Sequence, residues 1–412
     1  MKKRLKIEHL IYLIIFFLPA YLLRFYIFGI PTNVLEILII ILGVAWLAEI
    51  KNENLKSFWQ EYKKIIFSFL IIILGLLAST LINKNYATGL GIIKGWFIIP
   101  FLFFLIIKTA LPDKEKAVKA FYYSALAVSM LGIIYYVAGR LTFDGRLQIF
   151  FNSPNYLAMY LAPAVIIGAV RFNKSRTFLQ NIKLRRKNLP NPIIFESNHE
   201  NFWKVRDKKP VFFIISLGII LLTLYLTFSY AAWAALFISL LVIEIVKAKR
   251  SFFHSGIFKS TLIIFILFLF LQLGGNKFYD LKTLAERSSF SSRTMIWKSA
   301  EKILSDNWLW GIGPGNFQNR YLEYQPYFPP YLEWAVPHPH NLFLNFWLSG
   351  GLLALLGFLA LLYFWLKRIK KQKSDVFFFI ALGIMLAILI QGLVDTTFFK
   401  NDLAIIFWLA FL

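Results

Sequence analysis

Long apolar runs separated by short polar segments make up almost the whole chain of 412 residues. A helix that crosses a membrane needs about 20 mostly apolar residues, and most of the runs approach that length. The pattern predicts an all-α fold, a polytopic transmembrane helical bundle of about twelve spans. The predicted spans are 10–29, 33–50, 65–82, 90–107, 119–138, 156–170, 211–227, 230–246, 257–273, 341–366, 376–394 and a last one from about residue 402.

The spans divide the chain into three parts. Residues 1–273 hold the first nine spans and a basic loop, 171–210, for which we expect a solvated tether on the cytoplasmic side. Residues 274–340 form one large outside loop, and residues 341–412 hold the last three spans. The final apolar run is only about half of what a crossing needs, so we expect a partial helix or a natural chain that continues.

The charge distribution gives the orientation. The sequence has 45 Lys and Arg against 21 Asp and Glu, a net charge of +24. Most of the basic residues lie in alternate connections, which the positive-inside rule assigns to the cytoplasm together with the N-terminus. The basic surplus therefore reports topology and contact with membrane lipids rather than nucleic acid. We expect a multi-pass membrane protein whose first span is an uncleaved anchor, not a signal peptide.

The outside loop carries ordered elements. We predict a short helix near 279–287 and a second near 293–305, capped by Ser291 or Ser292. An apolar stripe at helical spacing marks the second helix: Ile296, Trp297, Ala300, Ile303 and Leu304. We expect a glycine turn at 311–315, followed by an irregular Tyr- and Pro-rich stretch from Tyr321 to Trp334.

Four cations on the outer side are candidates for binding an anion. Arg293 would combine a guanidinium with the free N–H groups of a helix start, which suits phosphate or pyrophosphate. Arg146 lies among apolar residues, with Asp144 as the alternative partner. Arg24 and Lys94 lie toward the outer ends of their spans, where pairing with Glu36 competes with a substrate contact.

His340 is the candidate catalytic residue. A neutral imidazole at the exit of the loop can take a proton from a hydroxyl, and Asn341 is placed to orient the ring. The alternative is an interfacial anchor that bonds loop carbonyls. His338, between two prolines, is expected to face elsewhere. The outside loops have no Asp-x-Asp pair, so we predict neither a metal site nor another cofactor.

Several motifs together resemble the O-antigen ligase and polymerase superfamily. They are the helix with Arg293 and Trp297, the run Trp310-Gly-Ile-Gly-Pro-Gly-Asn-Phe317, and Pro339-His-Asn-Leu-Phe343 followed by Gly350-Gly-Leu-Leu. The stretch from Arg146 through Asn152-Ser-Pro-Asn155-Tyr-Leu-Ala158 is also similar, as is the plan of about twelve spans with one late outside loop.

The resemblance implies an integral-membrane glycosyltransferase. Its donor would be a glycan on a polyprenyl pyrophosphate, such as undecaprenyl pyrophosphate, and its acceptor a hydroxyl on lipopolysaccharide core, another glycan or a protein of the cell envelope. By this resemblance His340 activates the acceptor, and Arg293 and Arg146 hold the pyrophosphate. Tyr230, Arg24, Lys94, Asn341 and Trp297 complete the candidate substrate contacts. Where many members have Ser-Arg, this chain has Ser229-Tyr230, so Lys94 and Arg24 are candidates to replace the missing charge.

Three functions remain open at this point. The first is a ligase, or a polysaccharide polymerase that uses the same donor. The second is a transporter of a lipid-linked glycan or small anion, although such transporters more often place charges at mid-membrane. The third is a non-catalytic scaffold for envelope assembly. The clustering of charges at the outer surface favours an enzyme.

Overall fold

The computed structural model describes residues 7–27, 30–111, 113–187, 209–248, 289–329, 334–371 and 375–412, with isolated positions between 262 and 270. The protein is mostly helical, with 77% helix and 3% strand. Five helices in the described ranges are long and apolar enough to cross a membrane. The chain is therefore a helical membrane protein, as the sequence predicts. The predicted span at 257–273 and the short helix at 279–287 fall almost entirely outside the described residues.

The elements are numbered in chain order. The helices are α1 (Ile7–Phe16), α2 (Val34–Leu47), α3 (Asn52–Ile82), α4 (Tyr86–Ile92), α5 (Ile99–Ala110), α6 (Lys114–Val137), α7 (Pro154–Lys187), α8 (Lys209–Leu226), α9 (Tyr230–Ala248), α10 (Ser289–Asn307), α11 (Phe317–Tyr324), α12 (Leu342–Ile369), α13 (Val376–Gln391) and α14 (Asn401–Leu409). A π-helical turn, Ile93–Ile98, joins α4 to α5, and short 3-10 helices lie at Leu18–Leu22 and Gln325–Tyr327.

The first predicted span, 10–29, is wrong in its second half. Helix α1 ends at Phe16, and a 3-10 helix with Pro19 at its start follows. The chain then forms an antiparallel pair of strands, β1 (Arg24–Ile27) and β2 (Ile30–Asn33). Proline has no N–H to donate and blocks the preceding helical turn, so the apolar run cannot remain one helix.

The basic segment predicted from residue 171 begins as a helix. Helix α7 continues to Lys187. Lysine and arginine have high helix propensity, so a helix that leaves the apolar region can extend through a basic segment. Hydropathy reports only where the apolar part ends.

A break inside α12 receives the glycine run of the large loop. The backbone at Gly350 and Gly351 is not helical, and the amide of Ile312 donates to Leu348 O at 2.7 Å. The amide of Leu352 donates to Leu309 O at 3.0 Å, so the loop satisfies groups that the break leaves free. A Cβ on Gly311 would lie 2.5 Å from the carbonyl oxygen of Leu348, which explains why glycine is required there. The predicted glycine turn at 311–315 therefore packs against the break in α12.

The large loop has its own small core. Four of the five stripe positions, Ile296, Ala300, Ile303 and Leu304, are buried there, as predicted, while Trp297 is half-buried. The predicted cap is wrong, because α10 already includes Ser289. Ser292 is buried within α10, and Arg293 is the fifth residue of this helix, beyond the four N–H groups that a helix start leaves free.

The Tyr- and Pro-rich stretch is more regular than predicted. Helix α11 runs to Tyr324, and a 3-10 helix follows through Tyr327. Pro326 lies at the start of that 3-10 helix, where its missing N–H costs nothing. Proline therefore ends α11 but does not prevent it.

Connections predicted to lie outside meet at one end of the bundle. The Asn85 side chain donates to Pro314 O at 2.9 Å, and the amide of Leu147 donates to Leu226 O at 2.9 Å. The amide of Leu342 donates to Gly392 O at 2.7 Å. The candidate site is built at this end.

Candidate functional site

A cavity of about 360 Å³ lies where the large loop meets α4, α7, α12 and the connection from α13 to α14. Its lining combines polar and apolar residues. The polar residues are Asn152, Ser153, Asn155, Tyr156, His338, His340, Asn345, Ser349, Asp395 and Lys400. The others are Ile92, Trp96, Ile312, Gly313, Pro314, Gly315, Phe317, Pro337, Leu348 and Phe399. This combination suits a ligand with both an apolar and a charged part.

His340 and Asp395 form a hydrogen-bonded pair in the lining of the cavity. His340 Nδ1 lies 3.3 Å from Asp395 Oδ1, and the carboxylate side chain is only 3% exposed. Burial by itself raises the pKa of Asp395, but the hydrogen bond and charge interaction with His340 bring it down to about 2. An ionised carboxylate can only accept, so Nδ1 carries the proton and Nε2 has the free lone pair. The ring is therefore prepared to accept a proton at Nε2.

The backbone at His340 is strained. Its φ is +45°, in the left-handed region that residues with a side chain rarely adopt. Such conformations cost roughly 1–3 kcal/mol and persist only where the surroundings enforce them. Here the Trp297 Nε1–H donates to Pro339 O at 3.1 Å, and the Asn341 side chain accepts from the amides of Phe343 and Leu344. Both neighbours fix the loop that presents the ring.

Asn341 therefore does not have the predicted role. Its oxygen caps α12, and its Nδ2 donates to Leu393 O at 2.9 Å. The group that orients the His340 ring is Asp395. Because a helix start needs an acceptor for its first amides, the asparagine is used locally.

Asp395 accepts hydrogen bonds from two further donors. Its Oδ1 accepts from the amide of Thr396 at 2.9 Å, and its Oδ2 accepts from Asn155 Nδ2 at 3.1 Å. Arg293 lies near enough to lower the pKa of Asp395 further. The carboxylate therefore has a fixed direction, which a positioning residue requires.

Arg146 contacts this network and not the cavity surface. Its Nη2 donates to Asn155 Oδ1 at 2.7 Å, and its Nε donates to Thr227 O at 2.8 Å. The alternative partner predicted from the sequence, Asp144, lies 3.8 Å from Nη1. Arg146 thus fixes Asn155, which in turn fixes Asp395.

Arg293 also reaches the same carboxylate through the backbone. Its Nε donates to Val394 O at 2.9 Å, immediately before Asp395. The structure brings Arg146, Arg293 and His340 together, as the resemblance implies. Arg146 contacts Asn155, which donates to Asp395, and Arg293 contacts the backbone next to Asp395.

His338 faces the same cavity as His340, contrary to the prediction. The ring centroids lie 4.8 Å apart, and His338 Nε2 pairs with Tyr156 OH at 2.8 Å. Burial, and then the neighbouring His340, lower the pKa of His338 to about 3, so this ring is neutral at pH 7.

Lys400 lines the cavity beside Tyr156. Its Nζ lies 4.6 Å from the Tyr156 ring centroid, a cation–π distance. Burial, and then repulsion from Arg24, lower the pKa of Lys400 to about 8.

The remaining predicted contacts lie around the site. Lys94 Nζ is 2.8 Å from Glu36 Oε2 and donates to Pro31 O, the alternative role that the sequence allowed. Arg24 is exposed on strand β1. Tyr230, the first residue of α9, interacts electrostatically with Arg146.

The two histidines and Asp395 have the composition of a metal site. Their ligand atoms lie within 4.8 Å of one another. Nε2 of His338 is already paired with Tyr156, and each Asp395 oxygen already accepts a hydrogen bond. These possible ligand atoms therefore already have hydrogen-bond partners within the protein.

Sequence reasoning missed four residues of the site: Asn155, Tyr156, Asp395 and Lys400. An ionisable residue at the end of a predicted span is a functional candidate, and Asp395 directly follows the span predicted at 376–394. That pattern was present in the sequence. No local pattern distinguishes Tyr156 from the other interfacial aromatic residues.

The fold and cavity define a class: a helical membrane protein with a histidine–carboxylate pair at one end of the bundle. A family model described as O-antigen ligase matches residues 215–359. This match confirms the resemblance to the O-antigen ligase superfamily. It covers His340 and Arg293, whereas Arg146, Asp395 and Lys400 lie outside the matched range. No curated protein matches the chain.

Proposed function

We propose that the protein is a glycosyltransferase of the bacterial cytoplasmic membrane. It transfers a glycan from a polyprenyl-diphosphate carrier to an acceptor hydroxyl on the outer face. The observation that carries the proposal is the pairing of His340 Nδ1 with the ionised Asp395, which leaves Nε2 as a base on the cavity wall. The match to the O-antigen ligase model supports the reaction class.

The reaction needs one proton acceptor and one stabilised leaving group. His340 Nε2 takes the proton of the acceptor hydroxyl while its oxygen attacks the anomeric carbon. The bond from that carbon to the diphosphate oxygen breaks, and the polyprenyl diphosphate leaves with its negative charge. Asp395 stabilises the imidazolium until it returns the proton to solvent. A positioned base contributes about 10²–10⁴-fold, or about 3–5 kcal/mol.

The arginines have two candidate roles. By the resemblance, Arg293 and Arg146 hold the diphosphate. Their contacts with Val394 O and Asn155 support a positioning role, in which both act on the reaction through Asp395. The roles separate kinetically, because a lost donor contact changes KM and lost positioning changes kcat.

The direct test is glycan transfer in proteoliposomes with a polyprenyl-diphosphate-linked glycan and defined acceptors. We expect His340→Ala to lose about 10²–10⁴-fold in rate while the protein inserts normally. His9→Ala, on α1, is the matched control and should retain transfer. Near-normal transfer by His340→Ala would rule out the assigned base. A polysaccharide acceptor used in preference to lipid A–core would identify a polymerase.

Two further measurements separate the competing functions. Transfer that persists after chelation, with no gain from added divalent cations, is expected for a metal-independent reaction at the His338, His340 and Asp395 group. A transporter instead predicts flux of the lipid-linked glycan without transfer. Flux that depends on His340 and occurs without acceptor would favour the transporter.

A further inference from the structure

We propose that Lys400 is the cation that binds the diphosphate of the lipid-linked donor in the cavity. The inference rests on the proposed function and names a residue that neither the resemblance nor the match to residues 215–359 includes. Three observations carry it: the composition of the lining, the absence of an anionic partner, and the contacts that hold the ammonium in place.

Lys400 is the one lysine or arginine among the described residues that line the cavity. The four cations predicted from the sequence do not line it within the described part of the chain. Arg146 and Arg293 donate to protein oxygens, and Lys94 is paired with Glu36. An anionic ligand in the cavity therefore meets Lys400 first.

Lys400 has no carboxylate within ion-pair distance among the residues that the structure describes. A half-buried ammonium without a counter-charge is costly, because burial removes water without supplying an anion. Asp402 is near enough for only a minor electrostatic effect. A phosphate oxygen at this point would supply the missing charge in a partly dry setting.

The Tyr156 ring holds the ammonium on the same wall as the catalytic pair. The hydroxyl of Tyr156 bonds His338, whose ring lies beside that of His340. A diphosphate at Lys400 would place the anomeric carbon of its sugar on the wall that carries His340. Many members of the family have an arginine where this chain has Tyr230. Lys400, in the connection before α14, would supply the positive charge that this arginine supplies in those members.

The experiment measures binding without transfer. Purified full-length protein in phosphatidylcholine nanodiscs is titrated with farnesyl diphosphate or with farnesol, its neutral analogue. We expect Lys400→Met to weaken farnesyl diphosphate binding by about 10- to 100-fold and to leave farnesol binding unchanged. Lys400→Arg should recover most of the affinity. Lys298→Met, an exposed lysine on α10, is the matched control and should bind as the wild type does.

Three results would overturn the inference. The first is wild-type affinity of Lys400→Met for farnesyl diphosphate. The second is an equal loss of farnesol affinity, which would show a general defect of the cavity. The third concerns competition for farnesyl diphosphate binding. If phosphatidylglycerol added to the nanodisc competes as strongly as inorganic pyrophosphate, the site binds a lipid headgroup and the inference is contradicted. Because no transfer step is needed, the outcome is independent of the test with His340→Ala.

Discussion

The cations around the cavity differ in what they contact. Arg146 and Arg293 donate to protein oxygens next to Asp395, and the positive charge of Arg293 stabilises the carboxylate that orients His340. Lys400 instead lies over the Tyr156 ring and lines the cavity. Positive charge near a site therefore does not identify a ligand contact. A cation whose N–H groups donate to protein oxygens has a positioning role, whereas a cation without such acceptors is available to bind a ligand.

Asp395→Asn should produce the largest effect, because it breaks the arrangement that the arginines maintain. The amide removes the charge that favours a proton on Nδ1, and we expect transfer to fall by about 100-fold or more. Asp306→Asn, an exposed carboxylate on α10, is the control and should be near normal. The measured pH profile of Asp395→Asn should differ from that of the wild type, because the amide removes the negative charge that favours a protonated imidazole. Full activity with an unchanged profile would disprove the positioning role.

Arg146→Lys distinguishes the two roles of the arginine. Lysine cannot reproduce the fork that contacts Asn155 and Thr227, so we expect kcat to fall by roughly tenfold. The KM for the donor should change little, because Arg146 does not line the cavity. Arg140→Lys, exposed in the same connection, serves as control. A raised donor KM with unchanged kcat would instead place Arg146 on the diphosphate.

Anion binding at Lys400 should depend on pH. Lys400, with a pKa of about 8, is protonated below that value, so binding of an anion is strong at pH 7 and is lost as the pH rises. We expect affinity for farnesyl diphosphate to fall by about tenfold between pH 7 and pH 9. The groups facing Lys400 are Arg24, Asp402 and His338, and His338 stays neutral over this range. Lys400→Arg should remove the pH dependence, and an equal fall in that variant would assign it to another group.

Arg24→Gln should have the smallest effect. Its side chain is exposed on strand β1, where solvent and salt screen the charge. We expect less than about a twofold change in the KM for the donor, measured by transfer kinetics at moderate salt. A tenfold rise in the donor KM would show that the ligand lies near strand β1, and it would contradict the assignment of ligand binding to Lys400.

Much of the architecture was predictable from the sequence, because hydropathy and helical periodicity are local properties. Most of the predicted spans fall on described helices, and the buried stripe of α10 follows its apolar spacing. The errors occur where a local pattern allows two outcomes. Pro19, for example, ended α1 early. Ser292 had a cap-like sequence context but was buried inside α10.

Composition and short motifs were enough to predict a helical membrane protein, a resemblance to the O-antigen ligase family, and His340 as the candidate base. Tertiary structure alone decided the partners. Asp395 and Asn155 are far apart in the chain, and only packing of α7 against the connection after α13 brings them within 3.1 Å. Packing also paired Lys94 with Glu36 and left Lys400 facing the cavity. A hydrogen bond depends on distance and direction in space, and spacing along the chain encodes neither for residues so far apart.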